Sequence, residues 1–241
     1  MRTLVIGDIH GAHKALLQIL ERAKVTEADR LIFLGDYVDG WSESPKVIAT
    51  LLELKASNDC IFIQGNHDEL LLDYFNGKTD NDLWFMHGGK ASVDAYAQVN
   101  KMELEIHLDF LRNLKHYHID DQNRLFIHAG FTNLHGVTAE YYPRLFYWDR
   151  TLWETALSLD PNMSTDNIYY PKRFLHYKEI YIGHTPLTRI GKSTPQNRAN
   201  IWNMDTGAAY TNPLTIMDVD TKEFWQSDNV NELYPNENGR N

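Results

Sequence analysis

Along the first third of the chain, short apolar runs alternate with longer stretches whose apolar residues recur at helical spacing. Thr3–Ile6, residues 30–34 and residues 60–64 are apolar runs bounded by polar positions and Gly, and they read as strands. Between them, residues 13–23 carry Leu16, Leu17 and Leu20 at helical spacing, and Ser44–Ser57 carries Val47, Ile48, Leu51 and Leu52. That order predicts βαβαβ, a substantially parallel sheet with helices against it. From Asp68 to about Leu114 the pattern is mostly helical, with Leu104, Leu108 and Leu111 in step. Strands resume at residues 124–128 and 178–182, and the short runs at 200–204 and 214–218 predict antiparallel strands. The sheet built this way is mixed, and the fold class is α/β.

At 241 residues the chain suits one large domain or two small ones. No repeat, low-complexity run or internal linker divides it, so residues 1–227 read as a single domain. Residues 228–241, rich in Asn and Glu, form a polar C-terminal tail expected to be loosely ordered. Asp and Glu number 33 against 23 Lys and Arg, a formal charge of -10. That excess excludes a binder relying on a broad basic surface, so no nucleic-acid partner is expected. The single Cys, Cys60, excludes an intramolecular disulfide and a thiolate zinc finger, and its place in an apolar run makes it core. No run approaches the roughly 18 apolar residues of a membrane span. The apolar start, Leu4-Val5-Ile6, is cut short by Gly7-Asp8 and is too brief for a signal peptide. The expectation is a cytoplasmic chain with no membrane partner.

The informative pattern lies just beyond each strand. Leu4-Val5-Ile6 leads into Gly7-Asp8-Ile9-His10-Gly11, residues 31–34 into Gly35-Asp36-Tyr37-Val38-Asp39, and residues 61–64 into Gly65-Asn66-His67-Asp68. Two later strands end in His128-Ala129-Gly130 and Gly183-His184-Thr185. In open α/β sheets, functional groups gather at the carboxyl ends of strands, where Gly lets the backbone turn sharply. The five ends would therefore cluster Asp8, His10, Asp36, Asn66, His128 and His184. A lone Gly-Asp or Gly-His after a strand is usually a turn or cap, but five together leave that alternative little room. Carboxylate, amide and imidazole donors without thiolate suit Mn, Fe or Zn. Six donors exceed one four-coordinate site, so two divalent ions are expected, Mn first with Fe or Zn as alternatives, and Asp36 suits a bridging position.

These residues resemble the phosphoprotein phosphatase branch of the calcineurin-like metallophosphoesterases, in its bacterial-type serine/threonine members. The first three strand ends are similar to that family's three signature motifs in order and spacing. His128-Ala129-Gly130 and Gly183-His184-Thr185 resemble its later motifs, as do Trp148-Asp149-Arg150 and Met204-Asp205-Thr206-Gly207-Ala208. The resemblance covers roughly residues 3–218 and implies two packed mixed β-sheets flanked by helices. It implies that Asp8, His10 and Asp36 hold one metal and Asn66, His128 and His184 complete the second, Asp36 bridging. His67 would be the catalytic acid, Asp39 its orienting partner, and Arg150 with Asn66 would meet the substrate phosphate. In the family, the Asp of the second motif is usually followed by Arg-Gly and the Arg clamps phosphate; here Asp39 precedes Gly40-Trp41. Arg150 is the first candidate to replace that Arg, with Lys46 or Arg189 as substitutes, and Trp41 could stack on a flat substrate group. The other histidines (His13, His87, His107, His116, His118, His135 and His176) match no motif position and read as surface or core.

Two divalent ions side by side lower the pKa of water and clamp phosphoryl oxygens, so no covalent nucleophile is needed. The leading expectation is therefore a phosphate monoester hydrolase acting on phosphorylated protein, of serine/threonine type with phosphotyrosine as a further substrate. The alternative is a bis(5'-nucleosyl)-tetraphosphatase-like hydrolase of dinucleoside polyphosphates or other small phosphoesters, favoured by the missing Arg. A catalytically silent binding module is a third reading. Physiological substrate, native metal and oligomeric state are left open by the sequence.

Overall fold

The structure, a computed structural model, describes residues 1–240. Strands β1 (Thr3–Ile6), β2 (Arg30–Phe33) and β3 (Asp59–Phe62) pair in parallel, with α1 (His13–Arg22) and α2 (Ser44–Ser57) as the crossovers. Pro45 in the first turn of α2 suits a helix start, where its missing N–H would have no partner anyway. A helical block comes next: α3 (Asn66–Phe75), α4 (Asp82–Trp84), α5 (Lys90–Tyr96) and α6 (Lys101–Arg112). The start of α6 is fixed by Asn100, whose side-chain carbonyl oxygen accepts the N–H of Glu103 at 3.0 Å.

The second half supplies β4 (Tyr117–Ile119), β5 (Arg124–Ile127), α7 (Leu145–Trp148), α8 (Thr151–Ser158), β6 (Glu179–Ile182), β7 (Gln196–Arg198) and β8 (Ile201–Asn203). It closes with β9 (Thr215–Asp218), β10 (Phe224–Gln226) and α9 (Val230–Leu233). One sheet has the order β10-β9-β1-β2-β3 and the other β4-β5-β6-β8-β7, both mixed. Successive strand residues serve opposite faces. Leu4 and Ile6 pack toward Leu16, Ile19 and Leu51 of the helices, whereas Val5 joins Ile32, Phe126, Tyr181 and Met217 between the sheets. A third cluster holds α8 to the far face of the second sheet through Leu152, Trp153, Ile180 and Ile201. The architecture is thus the expected pair of packed mixed sheets flanked by helices.

Three features depart from the sequence reading. The run at 200–204 is predicted to be antiparallel; β8 is antiparallel only to β7 and runs parallel to β6. Strands β4, β7 and β10 are three residues each, too short to show a period of two. The C-terminal segment is not loose among the described residues. Val230 and Tyr234 are buried, Tyr234 stacks on Trp41 with centroids 5.2 Å apart, and its hydroxyl accepts the Lys14 N–H at 3.0 Å. Trp41 is accordingly buried in full, with its indole N–H donated to the Ala208 carbonyl at 2.7 Å, so it offers no face to a substrate.

Candidate active site

Four residues at the strand ends hold the left-handed backbone conformation that L side chains rarely adopt: His10 (φ 52°), Asp36 (φ 53°), Asp39 (φ 71°) and His184 (φ 65°). Asp and His tolerate that region better than most residues, yet each instance costs on the order of 1–3 kcal/mol and persists only where its surroundings enforce it. Here it turns the side chains inward. Gly65 and Gly183 permit the closest approach. A Cβ on Gly65 would sit 2.1 Å from Asp36 Oδ1, and one on Gly183 would sit 2.0 Å from Asp8 Oδ1.

The six expected metal ligands do come together, all buried. His10 Nε2 lies 3.4 Å and His128 Nε2 3.5 Å from Asp36 Oδ2, so Asp36 sits between two imidazoles. The other nitrogen of His10 faces the Val38 carbonyl at 3.2 Å and that of His128 the Leu34 carbonyl at 2.8 Å, which aims both Nε2 atoms at the cluster. His184 Nδ1 and His128 Nε2 lie 2.8 Å and 3.3 Å from Asn66 Oδ1. The His184 N–H donates to Asp8 Oδ2 at 2.9 Å, and Asp8 Oδ1 and His184 Nε2 are left buried without partners. Burial and the nearby Asp205 and Asp36 push the Asp8 carboxyl well above its usual range. Burial lowers His10, His128 and His184. Burial raises Asp36 as well, but the imidazoles of His128, His67, His10 and His184 outweigh it and hold the carboxyl well below its usual range.

Orphaned carboxylate and imidazole atoms, an amide oxygen and a shared carboxylate form a donor set that fits hard-to-borderline divalent cations. Two groups could each hold an ion, His10 with Asp36 and His67, and Asp36 with His128 and His184. The first contains His67 where the sequence placed Asp8. His67, however, is engaged at its other nitrogen: Nδ1 lies 2.6 Å from Asp39 Oδ2, an oxygen that also accepts the Trp84 indole N–H at 2.5 Å. Asp39 is fully buried, and its own N–H donates to Ser92 Oγ at 2.8 Å. Behind the cluster, Asp68 accepts the N–H groups of Asp36, Tyr37 and Gly65 at 3.0, 3.0 and 2.8 Å, locking two strand ends together.

Beside the cluster opens a cavity of about 300 Å³, whose polar lining includes Asn66, His67, Arg150, Arg189 and Arg240. Leu70, Leu83, Trp84 and Trp148 supply apolar walls. Arg150, the first candidate for a phosphate-binding Arg, lines this cavity, with Nη1 3.5 Å from Thr185 Oγ1. Its neighbour Asp149 has a different task, accepting the N–H groups of Thr151 and Leu152 at the start of α8. Of the two substitutes, Arg189 lines the cavity, whereas the exposed Lys46 pairs with Glu43 at the start of α2. The helical block caps the site through Asn81, Leu83, Trp84 and His87, and His87 is thus one set-aside histidine that reaches it. Asp205, part of the Asp-Thr-Gly element, is buried beside Asp8, and burial pushes its carboxyl up to about 6. Arg240 escaped the sequence reading altogether, because nothing in the tail marks it.

The calcineurin-like phosphoesterase family matches this chain over residues 1–210. The asymmetrical bis(5'-nucleosyl)-tetraphosphatase PrpE of Anoxybacillus flavithermus is 27% identical over 228 residues, covering 88% of each chain. PrpE of Oceanobacillus iheyensis is 25% identical over 244 residues, covering 93% of this chain and 91% of that one. Among solved structures, a protein serine/threonine phosphatase from Saccharomyces cerevisiae superposes with TM-score 0.61 at 12% identity, covering 95% of this chain and 80% of that one, a likeness of fold. With the motifs in place at five strand ends and the match spanning nearly the whole chain, this protein belongs to the calcineurin-like phosphoesterase family.

Proposed function

We propose that this chain hydrolyses dinucleoside polyphosphates, with Asp8, His10, Asp36, Asn66, His128 and His184 holding two divalent cations. One observation carries the reading. Arg150, Arg189 and Arg240 form no ion pair among the described residues, and they share with His67 a cavity walled by Trp84 and Trp148. Three guanidinium groups with no ion-pair partner among the described residues are more charge than one phosphate monoester needs, and they suit a chain of phosphates. Indole walls suit a flat base at its end. Relatives matching almost the whole chain carry the name bis(5'-nucleosyl)-tetraphosphatase, which supports the same reading. For the protein-phosphatase expectation, the likeness to a solved serine/threonine phosphatase is one of fold alone.

When bound, the two cations would polarise the attacked phosphate and lower the pKa of water. The arginines bind and orient the phosphate chain. Water attacks phosphorus in line and yields a proton to solvent, the bond to the bridging oxygen breaks, and His67 gives that oxygen its proton. Asp39, held by Trp84 and Ser92, fixes the His67 ring by its Nδ1, which leaves Nε2 for the substrate. Specificity constants measured with Mn²⁺ on diadenosine tetraphosphate and on a panel of phosphoserine, phosphothreonine and phosphotyrosine peptides test the proposal. The dinucleotide is expected to exceed every peptide by at least about 100-fold, a difference of roughly 2.7 kcal/mol. Peptides turned over as well as the dinucleotide would overturn it.

A further inference from the structure

Arg240 enters the cavity from the far end of the sequence, and its approach is built rather than incidental. Glu237 accepts the N–H and hydroxyl of Ser42 at 2.9 and 2.7 Å. Gly239, at φ 65°, lies so near the buried Trp41 ring that a Cβ there would stand 2.7 Å from it. The Arg240 N–H then donates to the Ala209 carbonyl at 2.7 Å, fixing the backbone from which the side chain departs. Its stem runs past two glycines: a Cβ on Gly40 would be 3.6 Å from Arg240 Cγ, and one on Gly88 would be 3.0 Å away. The residue after Asp39 contributes only a hydrogen atom, and Arg240 fills the space beside it. Its guanidinium lies 5.7 Å from the Tyr210 ring centroid.

At the end of this path the charge is unmatched. Arg240 Nε is buried without a hydrogen-bond partner, and no carboxylate among the described residues lies within ion-pair distance of the group. Its positive charge is felt at Asp8, His10, Asp205 and Arg150, which places it within range of both the ligand cluster and the other arginine. A partly desolvated guanidinium with an unbonded Nε and no ion-pair partner is completed when an anion supplies both. We propose that Arg240 is a phosphate-binding residue, delivered by the C-terminal segment to the place left open by Gly40. It rests on the reading of the cavity as a phosphoester site and assigns to Arg240, with Arg150 and Arg189, the grip on the phosphate chain.

The test compares the full chain with Arg240→Ala and Arg240→Lys. Calorimetric titration of inorganic tripolyphosphate is expected to give a Kd about tenfold or more weaker for Arg240→Ala, with partial recovery in Arg240→Lys. KM for diadenosine tetraphosphate with Mn²⁺ should rise in parallel while kcat stays within about threefold, as expected when binding is lost. The thermal midpoint of neither variant should fall appreciably below the parent's, since the guanidinium has no ion-pair partner to lose. Unchanged tripolyphosphate affinity in Arg240→Ala would overturn the assignment, as would a loss of affinity that tracks a falling midpoint. If no variant hydrolyses the dinucleotide, the functional reading fails, and the tripolyphosphate titration still decides the role of Arg240.

Discussion

At the scale of single residues, the site shows how a side chain's role derives from what already holds it. His67 reaches the same carboxylate cluster as the ligands, yet its Nδ1 is taken by Asp39, and the N–H of His67 donates to Asp36 Oδ1 at 2.9 Å. An imidazole fixed in this way suits proton delivery. His67→Asn should therefore lower kcat by about 10²–10⁴-fold. The loss should be larger on phenyl phosphate, whose phenoxide leaves poorly, than on p-nitrophenyl phosphate. Equal losses on both esters would argue for a ligand role instead. His67 and Asp39 were legible in the sequence because both sit inside motifs. Asp205's proximity to Asp8 and the entry of His87 were not, since each depends on how distant segments pack.

At the scale of elements, strands β1 and β2 are pinned at their outer ends by one ion pair. Arg2 Nη2 and Nε donate to Asp29 at 2.7 and 3.0 Å, and the Thr26 N–H adds a third bond at 2.9 Å. The hydrogen bonds from Arg2 draw the Asp29 carboxyl down to about 2 from its ordinary 3.8. A depressed carboxylate pKa contributes stability that is fully present above the ordinary value and is lost as pH falls through the folded one. In Asp29→Asn the stability lost between about pH 4 and 2 should be smaller than in the parent, as read from urea midpoints along that range. Identical acid limbs would count against the pair. Longer elements were legible: α2 reads with its observed bounds because its apolar positions repeat over several turns. Strands β4, β7 and β10 gave no period to read, and the C-terminal segment hid two decisive aromatic and cationic residues within polar composition.

For the whole molecule, the formal charge of -10 says little about the cavity, since its carboxylates and arginines are sorted by position. Buried Asp8, Asp36 and Asp205 repel one another, and cations bound among them stabilise the native fold by mass action. Exchange of Mn²⁺-loaded protein into EDTA should lower the thermal midpoint by about 5–10 °C, the shift expected from losing an ion held at about 100 times its Kd. Restoring Mn²⁺ should reverse it. A midpoint indifferent to both treatments would contradict the two-cation reading. No helix among the described residues is long and apolar enough to cross a membrane.

The donors are divided between the sheets. Asp8, Asp36 and Asn66 come after β1, β2 and β3, while His128 and His184 come after β5 and β6. The first sheet alone brings together His10, Asp36 and His67, whereas the second group, Asp36 with His128 and His184, forms only where the two sheets meet. A second ion would therefore be captured only by a chain whose two sheets are already packed together, which makes occupancy of that position a report on assembly of the whole domain.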